Sequence, residues 1–477
     1  MKPLFFCTLL ATLLVPRAGA EDWPKFGRDL ANDAHSAEGG ISSKNVATLQ
    51  SKWTFATGGE ISTTPAIATV GGRHLLFIGS WSGVFYALDA VTGQQVWTFA
   101  VDYVGGRCNA QAPWCRIGSS PAVDIAHNLV LFGSYSGYLY ALNATTGALV
   151  WKAQVGDSLA GYEVWSSPSV YKNKVYIGVS AHGDAPCLEG GQVNAYNEST
   201  GQQLWTFNTI DQSTCPGGSD CVGGSVWSSL AIDADNGILY AGTGNPGATC
   251  QPPTQNAGLY PDSILALDAN TGTLLNYFQA IKDDHNDKDF GASPVLFASG
   301  WTDQCTNRSG VHYWVGEGSK DGYFYTLERD AHGLKGTAAQ QISGGTLGFI
   351  GTAGVAPAVI ASACNGSLKK IQYVNGIFDG GSSGSLFVYQ QVAAGKVTQR
   401  ASDKISGGSF YGAPAVIQDI ALFGGADGNF YAIDYNGKIL NTINIGQPMY
   451  GGVAISDKRV YFASIDGVVH CFSPNGV

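Results

Sequence analysis

Only 13% of this chain is charged, and several of those charges stand in glycine-rich turns beside tryptophan or asparagine. Arg116 precedes Gly118-Ser119-Ser120-Pro121. Trp227 lies in Gly223-Gly224-Ser225-Val226-Trp227-Ser228-Ser229, Asn245 in Gly242-Thr243-Gly244-Asn245-Pro246, and Lys320 in Gly316-Glu317-Gly318-Ser319-Lys320-Asp321-Gly322. Carboxylates occur at Asp184 and Glu189, at Asp262 after Tyr260-Pro261, and in an acidic run that holds Asp284, Asp287 and Asp289. By type, an indole offers a stacking face and a side-chain amide oxygen can ligate a hard cation. A guanidinium pairs with carboxylates, an ammonium is a point charge, and an aspartate can take a proton. Each has a plainer reading: a packing tryptophan, an Asn-Pro turn, solvated turn charges. No Cys-x-x-Cys-His is present for covalent haem, and no Cys/His group has zinc spacing.

Turn residues hold their places only if the strands between them do. Residues 79–97 show the unit responsible: a glycine-bounded turn, an alternating strand at 84–88, a second turn from Asp89 to Gly93, then Val96-Trp97. The unit returns through Gly133, Gly137, Asn143, Gly147 and Trp151, and again through Asn197, Gly201 and Trp205. In all three the tryptophan falls four residues after the glycine. Asn276 and Asn441 stand at that place in later copies. Eight such units begin near Leu76, Val130, Val175, Leu239, Val315, Val374, Ala421 and Val460. Strands at 120–123, 167–170, 293–295 and 413–416 precede several of them. The last unit runs out of chain before its outer strand, while Ser51-Lys52-Trp53-Thr54-Phe55 is an ending without a beginning. The expectation is an all-β, eight-bladed β-propeller over residues 44–477, its ring closed by the N-terminal strand in the C-terminal blade. An irregular segment, 21–43, precedes it.

Sixty-five glycines and eighteen prolines in 477 residues fit such a turn-rich fold. The net charge of −10, without a basic patch, argues against nucleic acid as a partner. Residues 1–20 read as a secretory signal: Lys2, an apolar centre at 4–15, and Ala18-Gly19-Ala20. The apolar run is shorter than the roughly 20 residues that span a bilayer, so no stable membrane insertion is expected. Cys7 lies inside the apolar centre, so there is no lipobox. A secreted or periplasmic location follows. Nine cysteines remain, and most should pair in an oxidising compartment. Cys108 with Cys115 and Cys215 with Cys221 can each close a short loop. Cys471, among Val468, Val469 and Phe472, is expected to be a buried free thiol.

The repeats resemble the tryptophan-docking blades of the pyrroloquinoline quinone (PQQ) dehydrogenase superfamily over nearly the whole chain after residue 20. Asp22-Trp23-Pro24-Lys25-Phe26-Gly27-Arg28-Asp29 is similar to polyvinyl-alcohol dehydrogenase-like members. The resemblance implies PQQ- and calcium-dependent oxidation of an alcohol, with electrons passed to a separate cytochrome c-type acceptor. It implies Trp227 as the stacking platform, Arg116 and Lys320 as cofactor contacts, and Asn245 as a calcium ligand. Asp184 stands one place beyond the family's usual glutamate ligand, and Glu189 is the other choice. Ala257 occupies the place of the family's catalytic aspartate. That leaves Asp262, Asp284 and Asp287, with Asp289 beside them, as candidate bases. The adjacent-cysteine ring of many relatives is absent, since Cys108 and Cys115 lie apart. A fold hosts many functions. A non-catalytic propeller scaffold is therefore the alternative, favoured by Ala257 and opposed by the joint presence of Trp227, Asn245 and Lys320.

Overall fold

The computed structural model describes residues 21–102, 108–109, 112–113, 116–158, 161–181, 190–210, 223–246, 260–282, 284, 286–303, 308–335, 340–343, 348–355, 361–364, 367–368, 375–378, 385–392, 396–404, 409–434 and 436–475. The expected signal, Asp184, Glu189, Ala257 and the Cys215–Cys221 pair lie outside these residues, as do the side chains of Cys108 and Cys115.

Each repeat folds as a four-stranded antiparallel meander, because two tight turns and one longer connection separate runs of alternating or wholly apolar residues. Blade 1 comprises Ala66–Val70, Arg73–Gly79, Val84–Asp89 and Gln95–Ala100. Blade 2 comprises Ala122–Asp124, Leu129–Gly133, Tyr138–Asn143 and Leu149–Gln154, and blade 3 Ser169–Tyr171, Lys174–Ala181, Gln192–Asn197 and Gln203–Asn208. Blade 4 is built from Ala231–Asp233, Ile238–Gly242, Ser263–Asp268 and Leu274–Gln279, and blade 5 from Val295–Asp303, Arg308–Gly318, Tyr323–Asp330 and Gln340–Ser343. Blades 6 and 7 follow from Gly354–Val355 to Lys396–Lys404 and from Ala415–Ile417 to Ile439–Asn444. In blade 8, Ala454–Ser456, Arg459–Ala463 and Val468–Pro474 are completed by Leu49–Ala56, paired antiparallel to the last strand. The strand without a beginning and the unit without an end are one sheet, as the sequence leads one to expect.

Neighbouring blades are pinned by the repeated tryptophan. The Nε1 of Trp53, Trp97 and Trp151 donates to the carbonyl of Ala90, Ala144 and Glu198 in the next blade (3.2, 3.1 and 2.6 Å). Opposite each docking residue the adjacent strand carries alanine or cysteine: Ala87 for Trp97, Ala141 for Trp151, Ala195 for Trp205, Cys471 for Trp53. Cys471 is a buried free thiol, as expected, and burial pushes it up to about 12. Asn276 and Asn441 do take the docking place, opposite Ala266 and Ala432. Their amides bond the backbone of Leu334 and Val46 instead.

A belt of hydroxyls joins the inner strands around the ring. Thr64 N–H donates to Ser120 Oγ, Ser120 N–H to Ser167 Oγ, Ser167 N–H to Ser229 Oγ and Ser229 N–H to Ser293 Oγ. Ser293 N–H reaches Thr352 Oγ1, and Gly452 N–H reaches Thr64 Oγ1, so blade 8 meets blade 1. Three residues further along these strands, the backbone turns to the N-terminal segment. Ile67 pairs with Trp23, Val123 N–H donates to Pro24 O, Ile232 to Leu30 O, Leu296 to Ala31 O, Val355 to Asp33 O and Val416 to Ala34 O. The segment expected only to be irregular is thus a strap across one end of the ring.

Candidate active site

In an antiparallel four-stranded meander, the turns between second and third strands and the connections between blades emerge at the same end. Arg116 and Trp227 lie on inter-blade connections. Asn245, Asp262 and Lys320 lie on second-to-third turns, and Asp284 to Asp289 on another connection. The chain therefore gathers every described candidate at the end opposite the strap.

That end opens into a cavity of about 320 Å³. Its wall is a ring: two residues before the hydroxyl belt stand Ser62, Gly118, Trp165, Trp227, Gly291, Ile350, Tyr411 and Tyr450, one from each blade. Small residues open the sides at blades 1, 2 and 5, aromatic ones line blades 3, 4, 7 and 8, and Ile350 lines blade 6. Phe26 of the strap closes the far end.

Trp227 does not dock between blades. Its Nε1 donates to Asp289 Oδ2 (2.9 Å), and Trp165 meets its ring edge-on with centroids 6.5 Å apart. Lys320 Nζ sits 5.2 Å from the Trp227 ring, within cation–π range. It is paired with Asp289 Oδ1 at 2.8 Å and with Asp287 Oδ1 at 2.7 Å. Burial pulls the ammonium down, but the two carboxylates outweigh it and hold its pKa above the ordinary value. Asp289 is pushed up by burial despite Lys320. On the opposite wall the Arg116 guanidinium lies 3.9 Å over the Trp81 ring, and its Nε has no hydrogen-bond partner among the described residues.

The three candidate bases are in different states. Asp287 is exposed and pairs with Lys320. Asp284 is buried, and its two oxygens accept the Asn286 and Lys288 N–H groups, which close the turn. Asp262 is 1% exposed, and neither carboxylate oxygen has a partner among the described residues. Burial, then Asp284, Asp289 and Asp321, push it up to about 9. Asp262 N–H donates to Gly244 O (3.0 Å), which places it beside the Gly-Thr-Gly-Asn loop. In that loop Asn245 Nδ2 donates to Pro246 O, while its amide oxygen carries no hydrogen bond among the described residues. A carboxylate unpartnered among the described residues, in the same inter-strand connection as a side-chain amide, is a donor set that suits a hard divalent cation.

Residues 23–333 match the family described as "PQQ: Glucose/ethanol/alcohol dehydrogenase, beta-propeller domain". The chain belongs to this family. Among curated members, it is 29% identical to the quinohemoprotein alcohol dehydrogenase ADH IIB of Pseudomonas putida, over 66% of this chain and 46% of that protein. It is 25% identical to a polyvinylalcohol dehydrogenase of a Sphingopyxis species, over 95% of this chain and 71% of that protein. The chain spans about half the length of most of these relatives. Among solved structures, a europium-containing methanol dehydrogenase superposes with a TM-score of 0.74 at 19% identity, covering 95% of this chain and 98% of that one. BamB from Moraxella catarrhalis gives 0.54 at 14%, with 90% and 98% covered. Both show the shared propeller fold.

Within this PQQ family frame, three residues escape the motif reading. Trp165 repeats the setting of Trp227, Val-Trp-Ser-Ser, one blade earlier, and that match is visible in the sequence. Tyr135 stacks on Trp165 with centroids 5.1 Å apart. Glu317 is fully buried behind Gly242, where a Cβ would collide with its Oε1, and neither oxygen is hydrogen-bonded among the described residues. Burial, then Asp289, raise its pKa well above the usual carboxylate range.

Proposed function

We propose that this chain is a PQQ- and calcium-dependent dehydrogenase that oxidises an alcohol, in the manner of the polyvinylalcohol dehydrogenases, and passes electrons to a separate cytochrome. The reading is supported above all by Trp227. It stands in the channel wall and not between blades, with Asp289 bound to its Nε1 and Lys320, paired with Asp289, over its ring. A secreted or periplasmic location accords with the signal-like start.

When bound, PQQ supplies the hydride acceptor. The protein's share is binding, orientation and proton handling. Trp227 would form the floor on which the flat ring system stacks. Lys320, held by Asp289, would direct its charge at a ring oxygen, and Arg116 would pair with a carboxylate through its fork. Asn245 would ligate the cation, with Asp184 proposed as a further ligand. Asp262 is the proposed base. Its unpartnered oxygens face no turn amide, unlike those of Asp284. In the metal-free protein it is neutral near pH 7, and a divalent cation beside Asn245 would favour its ionised form.

The test is titration of the cofactor-free protein with PQQ, with and without calcium, followed by indole fluorescence. Calcium-dependent quenching that is lost in Trp227→Leu is the expected result. Alcohol oxidation with an artificial electron acceptor should then follow in the loaded protein. Absence of binding in both conditions would leave a propeller scaffold in place of an enzyme.

A further inference from the structure

Away from the channel, one blade junction departs from the pattern of its neighbours. The first turn of blade 2, Asp124-Ile125-Ala126-His127, faces the second turn of blade 3, Asn197-Glu198. These turns emerge at the strap end of the ring, opposite the channel mouth. His127 Nδ1 is 2.6 Å from Asp124 Oδ2 and 3.5 Å from Glu198 Oε2. One ligand atom from each residue lies within 4.8 Å of the others. The Glu198 side chain is 1% exposed, and its Oε1 has no hydrogen-bond partner among the described residues. His127, at 47%, opens the cluster to solvent.

The repeats themselves supply the comparison. Glu198 follows Asn197, which is opposite Lys174. The same register position is Ala90 in blade 1, Ala144 in blade 2 and Ala269 in blade 4, all buried. The frame thus accepts a methyl group here, and a carboxylate has to be desolvated. Blade 5 carries Arg329 at this position, next to Glu328, which is opposite Trp314. Arg329 pairs with Asp233 of blade 4. Asp233 occupies the strand-end position that Asp124 has in blade 2, as their partners Ile238 and Leu129 show. One junction therefore sets a guanidinium against the aspartate. The other sets a buried second acid against it, with an imidazole between them. Where the first junction has a guanidinium, the second has only an imidazole, whose pKa hydrogen bonding to Asp124 and the charge of Glu198 hold above its ordinary value.

We propose that Asp124, His127 and Glu198 form a binding site for a divalent transition-metal ion that clamps blade 2 to blade 3. Two carboxylates with one imidazole suit zinc-class ions better than calcium or magnesium, which prefer oxygen alone. Three protein ligands with a solvent-facing side leave a fourth position for water. Ligand atoms of a tetrahedral zinc site stand roughly 3.3 Å apart, so the imidazole has to move outward from Asp124 by a rotation that its exposure permits. Glu198, pushed up to about 8 by burial and then by Asp124, releases a proton as the ion enters.

The probe is Co²⁺, titrated into chelator-stripped, PQQ-free protein and read by its visible d–d absorption, with Zn²⁺ as competitor. The wild type should bind one such ion, displaceable by Zn²⁺ and not by Ca²⁺, with a rise in Tm. Glu198→Ala restores the residue of three other blades, so it should fold normally and lose the signal and the Tm rise. His127→Asn changes an exposed side chain and should weaken binding by more than about 100-fold, since even outer-shell changes cost 10- to 100-fold. Asn245→Ala, in the channel, should leave the Co²⁺ spectrum unchanged. An unaltered spectrum in Glu198→Ala, its loss in Asn245→Ala, or no bound ion in the wild type would each overturn the assignment. None of these readouts depends on PQQ, so the site stands or falls apart from the enzymatic reading.

Discussion

At the scale of single residues, the channel end holds two carboxyl groups that the fold keeps neutral, and each makes a prediction with a definite sign. Asp262, raised to about 9, is protonated at neutral pH in the cofactor-free protein. If it is the base, kcat/KM of the loaded enzyme rises with pH as this group ionises. A cation at Asn245 shifts that rise to lower pH. Asp262→Asn should lower kcat by about 10²- to 10⁴-fold, the usual contribution of a positioned base, while the calcium-dependent fluorescence quenching by PQQ persists. A pH–rate profile that keeps its alkaline limb in the variant would return the role to Asp289. Glu317 bears on stability. Below its ordinary value, near 4.5, it is neutral in both folded and unfolded chains. Above that pH the unfolded chain releases the proton and the folded one keeps it. Stability then falls by up to about 1.4 kcal/mol per pH unit until the folded group also ionises. Glu317→Gln removes the penalty. The urea midpoint of the variant should exceed that of the wild type at pH 8 and match it near pH 4. An equal gain at both values would assign the effect to packing.

At the scale of elements, the blade-to-blade joint is a tryptophan under a glycine. Gly147 has φ +75°, and a Cβ there would fall 2.6 Å from Trp97 Cδ2. Gly237 has φ +69° with nothing within 4 Å of a Cβ, so it isolates the backbone contribution. Gly237→Ala should cost roughly 1 kcal/mol, the strain of a left-handed alanine. Gly147→Ala should cost that plus the roughly 1–3 kcal/mol of overpacking. Equal urea midpoints for the two variants would mean that the indole gives way freely and does not fix the joint. This joint is why the fold is legible in the sequence. Thr-Gly followed four residues on by tryptophan is a side-chain signature, and it recurs with its Asx turn in three blades. Where Asn276 and Asn441 replace tryptophan, the aspartate turn at Asp268 or Asp434 and the glycine spacing carry the register. The site is legible to the extent that a motif marks it, as at Trp227 and Lys320. Glu317 stands within the same segment as Lys320, yet its burial depends on Gly242, which lies in another blade.

At the scale of the whole molecule, ring closure is made twice, once by the Leu49–Ala56 strand in blade 8 and once by the strap. The strap was opaque in sequence because its contacts to blades run mainly through its carbonyl groups, which any residue can offer. Asn32 is the buried exception, while the side chains of Asp22, Glu38 and Ser43 meet Thr69, Lys458 and Asp419 nearer the surface. Asn32 is fully buried, with φ +57°, a conformation that asparagine tolerates better than most residues. Its Nδ2 donates to Leu230 O and Pro294 O (3.2 and 3.0 Å), and its Oδ1 accepts Lys25 Nζ (2.6 Å). One side chain therefore ties blade 4, blade 5 and the strap's own lysine. Replacing it leaves a buried ammonium and two carbonyls short of partners, at about 1–3 kcal/mol for a buried group left unsatisfied. Asn32→Ala should lower stability by roughly 3 kcal/mol on that basis. It should also loosen the floor that Phe26 forms under the channel, so PQQ should dissociate faster from the variant than from wild type. Asn32→Asp keeps the acceptor for Lys25 but loses the donors to blades 4 and 5. If the strap matters through the blades, the aspartate variant should behave like alanine in both urea melting and PQQ release. If it matters through Lys25, the aspartate should behave like wild type, and the ring would be held at this end by the backbone carbonyls alone.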